Sequence, residues 1–249
     1  MGRLHALLNR WFLMRDGRLE RGTLLTLILA AAALYAFAAL AGAVGGGGTY
    51  AFDERVLLAL RVPGNLADPI GPKWVEEMMR DITALGSTAV LTLMVLVVTG
   101  YLLLSDKRRS ALTVLFAVVS GVVVSQAAKI AYDRPRPELV PHGAEVYTAS
   151  FPSGHSMMAA IVYLTLGALL ARTQADLRVK MYILGAAVLL ALLVGVSRVY
   201  LGVHWPTDVL AGWALGGMWA MLCRLVMLRL QQRGQAEAET SAGRVEDRN

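Results

Sequence analysis

The stretch SALTVLFAVVSGVVVSQAA, Ser110 to Ala128, runs nineteen residues without a charged side chain and then meets Lys129. A run of that length and composition is sufficient to cross a bilayer as a helix. Five further charge-poor runs surround it: Thr23 to Val44, Ile82 to Leu104, Ser156 to Ala171, Met181 to Val196, and Val209 to Leu228, the last interrupted by Arg224. Together they predict an all-α fold, a six-helix transmembrane bundle. Composition agrees, because the 249 residues are 56% hydrophobic and only 17% charged. Aromatics are few, at 7%, so the apolar mass comes from Ala, Leu, Val and Gly, which let membrane helices approach closely.

The first run carries Ala41-Gly42-Ala43, a mimic of a signal cleavage site. It exceeds the roughly 7 to 15 apolar residues of a signal peptide and is expected to stay uncleaved. The net charge of +6 is dispersed over helix ends instead of forming a basic stripe with interleaved aromatics, so no nucleic-acid partner is expected. Cys223 is the single cysteine, which excludes a disulfide framework or thiolate cluster and reads as a small packing residue.

Lys and Arg are retained on the cytoplasmic side of short loops. Alternating the six runs puts sixteen of these residues on the side of the termini and eight on the other. Both termini are therefore expected in the cytoplasm of a cell (inner) membrane protein. Residues 1–22 read as a cytoplasmic interfacial segment, because Trp11, Phe12, Leu13 and Met14 lie amid arginines. Residues 23–230 form the six-span domain, and 231–249 read as a disordered cytoplasmic tail, polar and free of aromatics. The outward-facing segment 45–81 opens on four glycines and holds an amphipathic piece, Phe52 to Leu60, before Pro63-Gly64, Pro69 and Gly71-Pro72. It is expected to be a cap or interfacial helix over whatever lies beneath it, the alternative being a simple tether.

Three chemically dense segments fall at the outward ends of these spans: Lys129-x6-Arg136-Pro137, Pro152-Ser153-Gly154-His155, and Ser197-Arg198-x5-His204-x3-Asp208. Lys129 and Arg136 can converge only if the chain turns where the third span ends. With Arg198 they supply two guanidinium forks and an ammonium, a set suited to a phosphate dianion. Each alone would read as a cation snorkelling to the interface; as a cluster beside histidines, without a matching set of acids, they call for an anionic ligand. Ser153 precedes an apolar run and reads as a helix cap whose free amides bind anions, with Gly154 allowing close approach and His155 at the edge. His204 and Asp208 share a helix face one turn apart, so Asp208 can orient the imidazole for attack on phosphorus, or the pair can merely close a helix start. Zinc held by His155, His204 and Asp208 is a further reading, which the neighbouring cations oppose. Spans four and five have apolar stretches of about 16 residues, or about 24 Å, against a hydrocarbon core of about 30 Å. Their outward turns must therefore come from the motif residues, which puts the site at headgroup level.

These segments resemble the type 2 phosphatidic acid phosphatase family, which includes bacterial acid phosphatases and vanadium haloperoxidases. All eleven fixed positions of its three-part signature occur here in order. The resemblance implies that His204 is a nucleophile forming a phosphohistidine and that Asp208 orients it. It further implies that His155 is the general acid, and that Lys129, Arg136, Ser153, Gly154 and Arg198 hold the phosphoryl oxygens. No metal or other cofactor is implied. The expected activity is a membrane lipid phosphatase acting on a lipid phosphate or diphosphate at the outer face, with undecaprenyl diphosphate first and phosphatidylglycerophosphate or phosphatidic acid as rivals. Transfer of the phosphoryl group to an acceptor lipid is an alternative, and an inactive lipid-binding protein or transporter is the reading from another class. The lipid and the membrane are the only partners expected.

Overall fold

The computed structural model describes residues 14–15, 18–19, 21–141 and 148–246. Its helices are α1 (Arg21–Gly45), α2 (Tyr50–Ala59), α3 (Lys73–Ala84), α4 (Thr88–Leu104), α5 (Arg108–Tyr132), α6 (Gly154–Ala171), α7 (Leu177–Tyr200) and α8 (Pro206–Glu246). Two small antiparallel ribbons accompany them: β1 (Met14–Arg15) with β2 (Arg18–Leu19), and β3 (Arg61–Val62) with β4 (Asn65–Pro69). Five helices are long and apolar enough to cross a membrane, and α3 with α4 make a sixth span if that bent pair is taken as one. The helical bundle read from the sequence is therefore the observed fold.

Helix α6 sits at the centre. It packs against α7 and α8, while α1 lies along α8 and α4 lies against α5. One core joins Leu91 and Val95 of α4, Val114 of α5, Ala159 and Val162 of α6, and Val194 of α7. A second joins Ala117, Met157, Ile161 and Leu215. The α6–α8 contact depends on small residues: a methyl on Gly212 would stand 2.8 Å from the Ser153 carbonyl oxygen, and one on Gly216 would stand 2.5 Å from that of Met157. Outward-facing residues such as Leu96, Val97, Leu112, Val123 and Ile130 are exposed, as required where the surrounding solvent is lipid.

Three local expectations are corrected. The second apolar run is not one helix: it breaks over Leu85–Ser87, with a bend of 46° between α3 and α4. Ser87 accepts the Val90 amide at 3.3 Å and starts a new helix, while Gly86 fits a gap in which a methyl would be 2.3 Å from Val194. An uncharged sequence hides such a boundary. Within the N-terminal segment, where Trp11 to Met14 amid arginines suggest an interfacial helix, Met14–Arg15 and Arg18–Leu19 pair as strands instead, and the rest of 1–20 lies outside the described residues. The tail expected to be disordered is helical through Glu246, because its Ala, Gln, Glu and Arg residues favour helix and α8 extends without a new nucleus. Residues 247–249, and His142, to which no role is assigned, lie outside the described residues.

The 45–81 segment is not a free tether. Asp53 and Leu57 of α2 are fully buried, Arg61 donates to the Tyr200 carbonyl at 2.9 Å, and the Tyr200 hydroxyl donates to the Ile70 carbonyl at 2.8 Å. These contacts press the segment onto the ends of α7 and α8.

Candidate active site

The end of α5 turns sharply. Asp133 takes a left-handed conformation with φ 36° and its N–H bonds the Lys129 carbonyl at 3.0 Å. This sends Arg134-Pro135-Arg136-Pro137 back across the helix end and brings Lys129 and Arg136 to one site. Lys129 is buried, and its Nζ donates to the Ala149 carbonyl at 2.5 Å. Arg136 donates through Nε to the Thr148 carbonyl at 2.8 Å and through Nη1 to that of Val203 at 2.6 Å.

Ser153 caps α6 as its sequence context suggests, its Oγ accepting the Ser156 amide at 3.5 Å and the Ser156 hydroxyl at 3.0 Å. The Ser153 N–H itself is used internally, on the Asp208 carbonyl at 3.0 Å. Gly154 lies against Lys129, since a methyl there would be 3.5 Å from Cε. His155 follows in the first turn and lines a cavity of about 330 Å³ with Gly86, Gln126, Lys129, Thr148 and Met158. Arg198, in the last turn of α7, is 3% exposed and donates to Thr83 Oγ1 at 3.1 Å. Its Nε is buried with no hydrogen-bond partner among the described residues, a donor still available to an oxyanion.

His204 stands on the tight turn between α7 and α8, which Gly202 permits with φ +73°. It is 1% exposed. Its Nε2 lies 3.2 Å from Arg136 Nη1. A guanidinium only donates, so this contact leaves the acceptor lone pair on Nε2 and the ring proton on Nδ1. Nδ1 faces Ser150 Oγ at 3.3 Å and Asp208 Oδ2 at 3.5 Å. The Ser150 hydroxyl makes a short hydrogen bond to the same Asp208 oxygen, which also accepts the Trp205 amide at 3.0 Å. Asp208 thus reaches the imidazole chiefly through Ser150. Burial, reinforced by the positive charges of Arg136, Arg198 and Lys129, holds the His204 pKa well below its usual range. The ring is neutral, with an unprotonated nitrogen facing the cations, the state a nucleophile needs.

The fold therefore brings all eight residues singled out in the sequence to one end of the bundle. It adds others. Ser150 and Arg134 contact Asp208, Thr83 contacts Arg198, and Thr207 and Asp53 contact Arg134 in turn; only the Arg-Pro-Arg-Pro doubling in the sequence points to Arg134. The indole N–H groups of Trp205 and Trp213 are used internally, donating to the carbonyls of Pro135 at 3.0 Å and Ala191 at 2.9 Å. Among the described residues no group of three or more His, Cys, Asp and Glu could hold a metal ion.

Residues 110–232 match the PAP2 superfamily. Phosphatidylglycerophosphatase B of Bacillus subtilis is 36% identical over 146 residues, covering 57% of this chain and 70% of the relative. An undecaprenyl-diphosphatase of Sulfolobus acidocaldarius is 35% identical over 128 residues, covering 48% of this chain and 56% of the relative. The crystal structure of the transmembrane PAP2 type phosphatidylglycerolphosphate phosphatase from Bacillus subtilis superposes with a TM-score of 0.71 at 31% identity, covering 78% of this chain and 94% of that one. Fold and site together define a multi-pass membrane lipid phosphatase. The chain belongs to the PAP2 superfamily.

Proposed function

We propose that the protein hydrolyses the terminal phosphate of a lipid phosphate or diphosphate at the outer face of the cell membrane, through a phosphohistidine on His204 and without a metal. The observation that carries this reading is the neutral Nε2 of His204 facing Arg136, with Lys129 and Arg198 close enough to shift its titration. Phosphoryl transfer needs donors around the equatorial oxygens and an in-line nucleophile, and electrostatics does most of the work. Lys129, Arg136 and Arg198, with Ser153 and the Gly154 amide, hold the phosphoryl oxygens. His204 Nε2 attacks phosphorus, and the positive charge that develops on the ring is stabilised through Ser150 by Asp208. His155 gives a proton to the leaving oxygen. Water then cleaves the phosphohistidine, and His155 takes its proton.

Undecaprenyl diphosphate is the substrate proposed first, because its carrier lipid is recycled by dephosphorylation on that face. Phosphatidylglycerophosphate is the second reading, favoured by the likeness to the Bacillus subtilis enzyme. The lysine and arginine distribution supports cytoplasmic termini and an outward site. The test is phosphate release by purified protein in detergent with excess EDTA, offering undecaprenyl diphosphate, phosphatidylglycerophosphate and phosphatidic acid in parallel. Release that disappears in His204→Ala is the expected result, and the relative rates identify the substrate. Phosphate appearing on an acceptor lipid instead of in solution would replace hydrolysis with transfer, and release abolished by EDTA would overturn metal independence.

A further inference from the structure

A buried charge network beside Asp208 links α2 to the start of α8. Arg134 donates Nη1 to Asp208 Oδ1 at 2.6 Å and to Thr207 Oγ1 at 2.8 Å. Through Nη2 it reaches Asp53 Oδ2 at 2.7 Å and Thr49 Oγ1 at 3.1 Å. Asp53 accepts the Thr207 amide on Oδ1 at 2.9 Å and the Thr207 hydroxyl on Oδ2 at 2.7 Å. Tyr50 and Trp205 rings stand 5.2 and 5.5 Å from the guanidinium carbon. The Arg134 carbonyl accepts the Ser150 amide at 2.8 Å, so the same residue also sets the height of the hydroxyl between His204 and Asp208.

We infer that Asp53 and Arg134 are positioning residues of the reaction: together they fix the Asp208 carboxylate, and through it and Ser150 the orientation and tautomer of His204. This rests on the phosphatase reading. The Asp208 carboxylate has one oxygen held by Arg134 and the other by Ser150 and the Trp205 amide, which leaves it a single orientation. The second nitrogen of the same guanidinium is held by Asp53, its charged anchor, with Thr49 beside it. Asp53 further supplies from α2 the acceptor that the first turn of α8 needs for its free Thr207 amide. Two carboxylates share one guanidinium in a fully buried setting. Each carboxylate takes one charge-assisted bond from a different nitrogen of the rigid fork, a spacing that the point charge of an ammonium does not match. Neither Asp53 nor Arg134 lines the cavity beside His155; their effect on chemistry passes through Asp208.

The test compares Asp53→Asn, Arg134→Lys and the double variant with wild type, on whichever lipid wild type hydrolyses. Asp53→Asn keeps the shape and an acceptor for the Thr207 amide while removing the charge. Arg134→Lys keeps a charge but not the fork. The readouts are kcat, KM, inhibition by inorganic phosphate, and thermal midpoint in detergent. The expected result is a loss of about tenfold or more in kcat for each single variant, with KM and phosphate inhibition within about threefold, since an interaction that orients the nucleophile acts on kcat. The double variant should be no worse than Arg134→Lys alone, because both changes break the same chain of contacts. Wild-type kcat in Asp53→Asn would overturn the inference, and so would phosphate affinity falling in step with kcat. If Arg134→Lys does not fold, Asp53→Asn decides alone. A wild-type protein that releases no phosphate would overturn the phosphatase reading itself, and this inference with it.

Discussion

Arg136 Nη1 lies 3.2 Å from His204 Nε2, on the ring nitrogen turned away from Asp208. The guanidinium therefore faces the lone pair of the proposed nucleophile. The same group also donates to the carbonyls of Thr148 and Val203, so its fork is pre-oriented. Arg136→Lys keeps the charge and loses that geometry. The expected outcome is a fall of about 100-fold in kcat/KM, in the range for removing a pre-organised donor. Steady-state phosphate release checks it, and a change under threefold would remove Arg136 from the phosphate site.

Ser150 separates His204 Nδ1 from Asp208. Ser150→Ala leaves Nδ1–H and one carboxylate oxygen without their shared partner. A lost hydrogen bond to a charged group is worth about 1.5 to 3 kcal/mol, so kcat should fall about tenfold to 100-fold with KM nearly unchanged. Wild-type kcat in this variant would mean that Asp208 acts on the ring directly.

The neutral burial of His204 predicts a dependence of stability on pH. Its pKa is lowered in the fold, so the unfolded chain binds a proton at higher pH than the native protein does. The stabilisation from this residue is complete above about pH 6.5 and declines as pH falls toward the folded pKa, by about 1.4 kcal/mol per pH unit. Thermal midpoints from pH 7 to pH 5 should drop more steeply for wild type than for His204→Gln. Parallel lines would contradict a neutral, buried ring.

His155 is expected to protonate the leaving oxygen, and the need for that proton depends on the leaving group. His155→Ala should lose about 100-fold or more in kcat on a lipid phosphate, consistent with general acid catalysis. On an aryl phosphate, whose leaving group departs without a proton, the loss should shrink to about tenfold. An equal loss on both would assign His155 to phosphate binding instead.

The helices and the eight motif residues were legible because both signals are local. Apolar runs declare spans, and fixed spacing puts Lys129, Arg136, His204 and Asp208 at helix ends. What stayed hidden is non-local or lacks chemical contrast. The Asp53–Arg134 pair spans 81 residues of sequence, and nothing near Asp53 distinguishes it from any acid in the first turn of an amphipathic helix. Ser150 sits in a loop whose residues carry no periodicity. The break at Leu85–Ser87 falls three residues into an uncharged run that starts at Ile82, so the run looks like one span although α3 is polar and α4 apolar. The tail's polarity points to disorder, while the same Ala, Gln and Glu residues favour the helix it forms.

The stretch that matches the superfamily begins at residue 110, yet Asp53 and Thr83, which hold Arg134 and Arg198, precede it. A graft that carried only the matched region into another membrane scaffold would transfer every signature residue and leave two of its arginines without their native anchors. For this protein the heritable unit of catalysis is longer than the motif-bearing unit, and chimeras should be cut before Thr49.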